Sequence, residues 1–229
     1  MPDHLVILVL AVGGLVAFLI YKGTAAARAR KEERRRDLRA LGFEPLDSPP
    51  PEVADPILAL YGHGGKSGHK LDNVFERPGS ADRFYLLDLK SSSGDSSQEG
   101  VIAVFSPRLR MPRLTIFPRL EGDGRLAALG NLLMKKLSQR HGGAVDFAAH
   151  PRFTKRHFVS GPDEAAIRRF LTGDRLDRLA ELEHTALEGE GALFTYQKFR
   201  FPRHGGGTDR EQISEHVQQA EQLLRLLRA

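Results

Sequence analysis

Residues 5–21, LVILVLAVGGLVAFLIY, carry no charge, and this run constrains the chain more than any other feature. Wound as a helix at about 1.5 Å per residue it extends roughly 25 Å, close to the lower limit for crossing a bilayer core. Inside lipid every backbone amide must find its partner within the chain, which a helix of Leu, Val, Ile, Phe and Ala achieves. The apolar side chains run all the way round, unlike those of a helix lying on a soluble core. Tyr21 and Lys22 stand where an interfacial aromatic and a snorkelling cation belong. The expectation is a transmembrane helix over residues 5–21, preceded by a four-residue tail, 1–4. Ala25, Ala26 and Ala27 would suit signal-peptide cleavage, but Met-Pro-Asp-His lacks the cationic start such peptides need.

The flanks of this run differ sharply in charge. No Lys or Arg precedes it, while Lys22, Arg28, Arg30, Lys31, Arg34, Arg35, Arg36 and Arg39 come after it. The positive-inside rule therefore puts the amino terminus outside and the remainder of the chain on the cytoplasmic side of an inner (plasma) membrane. The same eight cations are expected to lie against anionic headgroups, at about 1 kcal/mol each near the surface. With Glu32, Glu33 and Asp37 they account for the whole net charge of +5. Beyond Arg39 the charges nearly balance, so nucleic acid is not an expected partner despite the basic overall composition. The chain has no cysteine, which excludes disulfides, thiolate metal sites and thiol nucleophiles.

Beyond the anchor, residues 22–41 favour helix and form a basic stalk until Gly42 stops it. Residues 42–51, rich in proline, read as a linker, and residues 52–229 as one cytoplasmic α+β domain. Within that domain Glu52–Tyr61 reads as a short helix. Strand-like stretches come next at Lys70–Arg77, Arg83–Ser91, Gly100–Ser106 and Arg113–Pro118, each rich in branched or aromatic residues. Arg125–Arg140 carries a leucine face at helical spacing. Strands are expected again at Ala144–Phe147 and Arg152–Val159, then helices at Asp163–Leu171 and Asp174–Glu183. Ala186–Glu188 and Ala192–Phe201 form a hairpin turning at Glu190-Gly191, and a capping box at Thr208 opens a final helix. Strand runs without regular βαβ alternation argue for a mainly antiparallel sheet with packed helices.

Several motifs touch on chemistry. Gly64-Gly65-Lys66-Ser67 ends like a phosphate-binding loop, but Leu60 occupies the first glycine's place and a helix precedes where a strand is required. His63, His69, His141, His150 and His157 lack metal-ligand spacing, although the glycine loop between His63 and His69 offers the basis for a rival expectation, a membrane-attached hydrolase or metal-dependent enzyme. Asp146 and Glu188 suit acid–base work only if the fold joins them. Arg152, Lys155 and Arg156 alternate with aromatics, as do Lys198 and Arg200. If these two segments lie side by side as strands, they make one basic binding surface for an acidic protein or lipid headgroups. No catalytic residue, cofactor or metal is assigned.

Taken in order, Gly68-His69, Asn73-Val74-Phe75, Phe84 through Leu89 (FYLLDL), Leu109 through Arg119 (LRMPRLTIFPR), Val145-Asp146-Phe147 with His150-Pro151-Arg152-Phe153, Gly161-Pro162-Asp163-Glu164 and Glu188-Gly189-Glu190-Gly191 resemble the landmarks of a bacterial family of membrane-anchored proteins with no assigned function. The resemblance covers almost the whole chain and implies an architecture: one amino-terminal membrane helix, a basic stalk and a domain of this size. It implies no catalytic residue. One departure is Leu87-Asp88-Leu89, where the family has a Phe-Asp-Tyr-like strand. Together these features point to a non-enzymatic binding or scaffold module at the cytoplasmic membrane face, with the lipid bilayer and a membrane-associated protein as partners.

Overall fold

The computed structural model describes residues 32–61, 68–78, 81–91, 97–119, 142–198 and 209–228. Nine strands build one sheet in the order β1-β2-β3-β4-β9-β8-β5-β7-β6, with every neighbouring pair antiparallel. They are β1 Glu44–Leu46, β2 His69–Arg77, β3 Arg83–Ser91, β4 Ser97–Phe105, β5 Met111–Pro118, β6 Ala144–Val145, β7 His157–Ser160, β8 Thr185–Gly191 and β9 Leu193–Lys198. Among the described residues there are six helices: α1 (32–40), α2 Pro51–Tyr61, α3 Pro151–Arg156, α4 Glu164–Phe170, α5 Gly173–Leu179 and α6 Asp209–Arg228. The α+β class with an antiparallel sheet is thus the observed one. None of these helices is long and apolar enough to cross a membrane; the expected span 5–21 lies outside the described residues. So does the expected helix Arg125–Arg140.

The sheet is covered on both faces, which is why β3 reads as an apolar run and is buried from Phe84 to Leu89. On one face α2 lays Val53, Ile57 and Leu60 over Val74, Tyr85, Leu87, Val101 and Ala103. On the other, Leu38 of α1 and the stripe Val217, Ala220, Leu224 and Leu227 of α6 share one core with Phe84, Leu86, Ile102, Val104 and Tyr196, and Ile167 of α4 joins that core on the β5 side. Spacings of three and four along α6 keep that stripe on one side. Polar contacts tie down the far side of the helix. Arg77 on β2 pairs with Glu221 at 2.8 Å and lies 4.4 Å over the Phe84 ring, and Arg228 pairs with Asp82.

Two segments differ in kind from expectation, beyond shifts of a few residues at the ends of other elements. Residues 44–46, within the proline-rich stretch, add an edge strand to the sheet, and the preceding Phe43 is fully buried. Arg152–Val159 is not one strand. Pro151 starts a helix that runs to Arg156, and only from His157 does the chain extend. Proline at the first helical position has its φ already set and loses no hydrogen bond there. The helix brings Phe153 and His157 onto one face, where their rings stack at 5.1 Å. The alternation that suggested a strand is thus a four-residue spacing.

Candidate functional site

Asp88, in the middle of β3, turns toward the face that carries α1. It is 3% exposed, so its charge must be met by donors inside the protein. Arg34 of α1 supplies both arms of its guanidinium, at 2.9 Å to Oδ1 and 3.1 Å to Oδ2. Asn73 Nδ2 donates to Oδ2 at 2.8 Å, and the Gly100 amide donates to Oδ1 at 3.0 Å. Bidentate guanidinium contacts are the strongest paired form a carboxylate finds in proteins.

Irregularities in the strands on either side deliver these donors. The β2–β3 register shifts between Asp72 and Phe75, with Asn73 at φ 46°, and the β3–β4 register shifts between Leu87 and Leu89 opposite Gly100 at φ 72°. Asn and Gly are the residues that take this left-handed backbone at least cost. Two bulges and one arginine therefore converge on one carboxylate, and α1 is clamped to the sheet by it. Leu38, fully buried one turn further along α1, completes the attachment.

A second polar group crosses the α2 face. Tyr85, Ala103, Thr195, Glu188, Thr115 and Ser160 stand opposite one another across successive strand pairs, so their side chains share that face. Tyr61 at the end of α2 donates its hydroxyl to Thr195 Oγ1 at 2.9 Å. Burial drives the Tyr61 phenol up, the neighbouring Glu188 charge adds to this, and the Thr195 bond opposes it. Tyr85 donates to Glu76 at 2.9 Å and is pushed up to about 12 by burial first and Glu76 second. Glu188 is the chemically distinctive member. Burial raises its carboxyl to about 8, against the pull of Arg113, which itself reaches Glu190 at 3.4 Å. At neutral pH Glu188 is therefore mostly a neutral acid. The Ser160 hydroxyl is fully buried, but it lies two strands from Glu188, roughly 10 Å away, with Thr115 between.

The residues singled out in the sequence fall in separate places. Lys22, Arg28, Arg30, Lys31, His63, His141 and Arg200 lie outside the described residues, as does the loop 62–67. Of the stalk cations, Arg34 is committed to Asp88, Arg35 reaches Glu32 at 3.4 Å, and Arg36 and Arg39 are exposed. Arg152, Lys155 and Arg156 sit on α3, and Arg156 donates to the Ala180 carbonyl at 2.8 Å. Lys198 ends β9 and pairs with Glu215 at 3.0 Å. Between β7 and β9 lie β8 and β5, so the two basic segments do not form the side-by-side strand surface that their alternation suggested. Asp146, next to β6, is likewise separated from Glu188 on β8 by β7 and β5. His69 on β2 sits 5.9 Å from the Tyr61 ring, and among the described residues no three metal-ligating side chains converge.

The pairing of Arg34 with Asp88 was not legible in the sequence, since the two residues stand 54 positions apart. The one local signal was weak: an acid inside an apolar strand, which has to be paired if that strand is buried. No known protein family, curated protein or solved structure matches the chain.

Proposed function

We propose that the protein is a membrane-tethered, non-enzymatic binding module, held at the inner membrane by residues 5–21 with its α+β domain in the cytoplasm. The observation that supports this best is the attachment of α1. The helix that carries the second half of the basic flank is joined to the sheet through Arg34 and Asp88 and through Leu38, rather than leading to a free linker. Only residues 22–31 separate the expected span from α1, a length that reaches about 35 Å even when fully extended. The domain would then work within a thin layer at the bilayer, where tethering raises its effective concentration toward membrane-bound partners. Lys22, Arg28, Arg30, Lys31, Arg36 and Arg39 would face the anionic headgroups, while Arg34 serves the fold.

The test is fractionation followed by crosslinking in native membranes, with a reporter fused after Ala229. The full chain is expected in the membrane fraction, the reporter active in the cytoplasm, and a specific protein or lipid recovered on the domain. A chain that stays soluble, or a reporter on the outer side, overturns the proposal.

A further inference from the structure

Residues of α4, α5 and α6 line an open cleft of about 500 Å³. Four arginines line it: Arg169 from α4, Arg175 and Arg178 from α5, and Arg225 from the last turns of α6. Asp174 is the only acidic residue among the described lining residues, leaving a formal excess of three positive charges. The surroundings neutralise little of this. Arg225 reaches Glu221 at 3.6 Å, but Glu221 is already engaged by Arg77 at 2.8 Å. Among the described residues Arg169 and Arg178 make no ion pair, and both are exposed.

One arginine is held in place in advance. Arg175 donates to the Phe170 carbonyl and lies 4.4 Å over the Phe170 ring, so its remaining donors are fixed relative to the cleft. Thr172 adds a hydroxyl that makes no capping bond to the helix it precedes, and Gln222 adds an amide. Gathering four guanidiniums in one place is unfavourable by mutual repulsion unless an anion joins them.

We infer that this cleft binds a small phosphate-bearing anion with at least two negative charges, either a free di- or polyphosphate or the phosphomonoester of a lipid headgroup. A single carboxylate would leave most of the excess charge unmet. Forked guanidiniums match the paired oxygens of a phosphate, and the volume falls in the range of small-molecule sites. The cleft stands on its own residues and does not depend on where the chain is tethered.

The experiment uses the full chain in dodecyl maltoside, titrated calorimetrically with sodium pyrophosphate in one arm and with dihexanoyl phosphatidic acid below its micellar concentration in the other. Arg169→Ala/Arg178→Ala is compared with Arg152→Ala/Lys155→Ala, an equal loss of exposed charge on α3. Saturable binding is expected in at least one arm, weakened at least about tenfold by the cleft substitutions and little by the α3 pair. Tighter pyrophosphate binding assigns a free phosphate, and tighter phosphatidic acid binding assigns a headgroup. Because Arg169 and Arg178 are exposed, their replacement leaves the unfolding midpoint in buffer unchanged or raised, which separates lost binding from lost fold. No saturable binding in either arm, or equal weakening by both variant pairs, overturns the inference.

Discussion

Burial drives two side chains of this protein in opposite directions on the pH scale, and each makes a separate demand on stability. Glu188 has its carboxyl raised from 4.5 to about 8, chiefly by burial. Its contribution is full below pH 4.5 and is lost as pH rises through 8, by on the order of 5 kcal/mol if the whole difference is realised. Glu188→Gln keeps the shape and removes the ionisation. Urea unfolding from pH 5 to 9 should show the parent weakening toward the alkaline end and the variant holding level, several kcal/mol ahead at pH 9. Equal slopes would mean that Glu188 is already charged in the fold. His157 behaves conversely. It is 3% exposed, and burial lowers its imidazole from 6.5 to about 4, with a backbone hydrogen bond at Leu182 opposing. Stability is then present above pH 6.5 and lost as pH falls through 4, by on the order of 3 kcal/mol. His157→Phe retains a ring against Phe153 and should flatten that acid limb. A limb that persists unchanged in the variant would assign acid sensitivity to other groups.

Elements were legible where local pattern and final environment agree. The bounds expected for β3, Arg83–Ser91, are the observed ones, because turn formers bracket an apolar run that is buried on both faces. The final helix begins within a residue of its capping signal for a similar reason. The α3 segment failed because six residues are too few for periodicity to separate a four-residue spacing from alternation. Nothing local marked the close approach of β5 to the end of β7 either, where Gly161 sits. A Cβ there would lie 2.4 Å from the Arg113 carbonyl oxygen and 2.5 Å from Ile167 Cδ1. Backbone on one side and a packed core residue on the other leave no easy relief, so Gly161→Ala should cost about 2–3 kcal/mol by overpacking. Gly191→Ala provides the comparison. Its φ of 61° strains an alanine, yet its Cβ would meet nothing within 4 Å, and about 1–2 kcal/mol is expected. Thermal or urea unfolding of the two variants should rank Gly161→Ala as the worse, and the reverse order would contradict the crowding at β5.

What the sequence could not disclose is which distant residues meet. Arg34 and Asp88 are joined across α1 and β3, and Arg169 and Arg225 line one cleft from α4 and α6, so neither pair shares a local pattern. The first of these meetings moves the edge of the folding unit. Composition places a stalk and then a linker ahead of residue 52, yet Leu38 and Phe43 are fully buried and β1 is part of the sheet. A chain of residues 42–229 should therefore be much less stable than one of residues 32–229. It forgoes the burial of Leu38, worth about 2 kcal/mol, and leaves Asp88 with only the Asn73 and Gly100 donors, costing about 3–5 kcal/mol more. Losing Leu38 alone would also destabilise, so the charge has to be isolated by substitution. In residues 32–229, Asp88→Asn breaks the pair and strands the Arg34 guanidinium in a half-buried position, so it should destabilise. In residues 42–229 there is no Arg34, and the same substitution removes an uncompensated buried charge, so it should be neutral or stabilising. That change of sign between the two chains is the signature of the clamp. If Asp88→Asn costs the same in both, α1 is attached by its apolar contacts alone, and the proposed coupling of stalk to sheet through Asp88 fails.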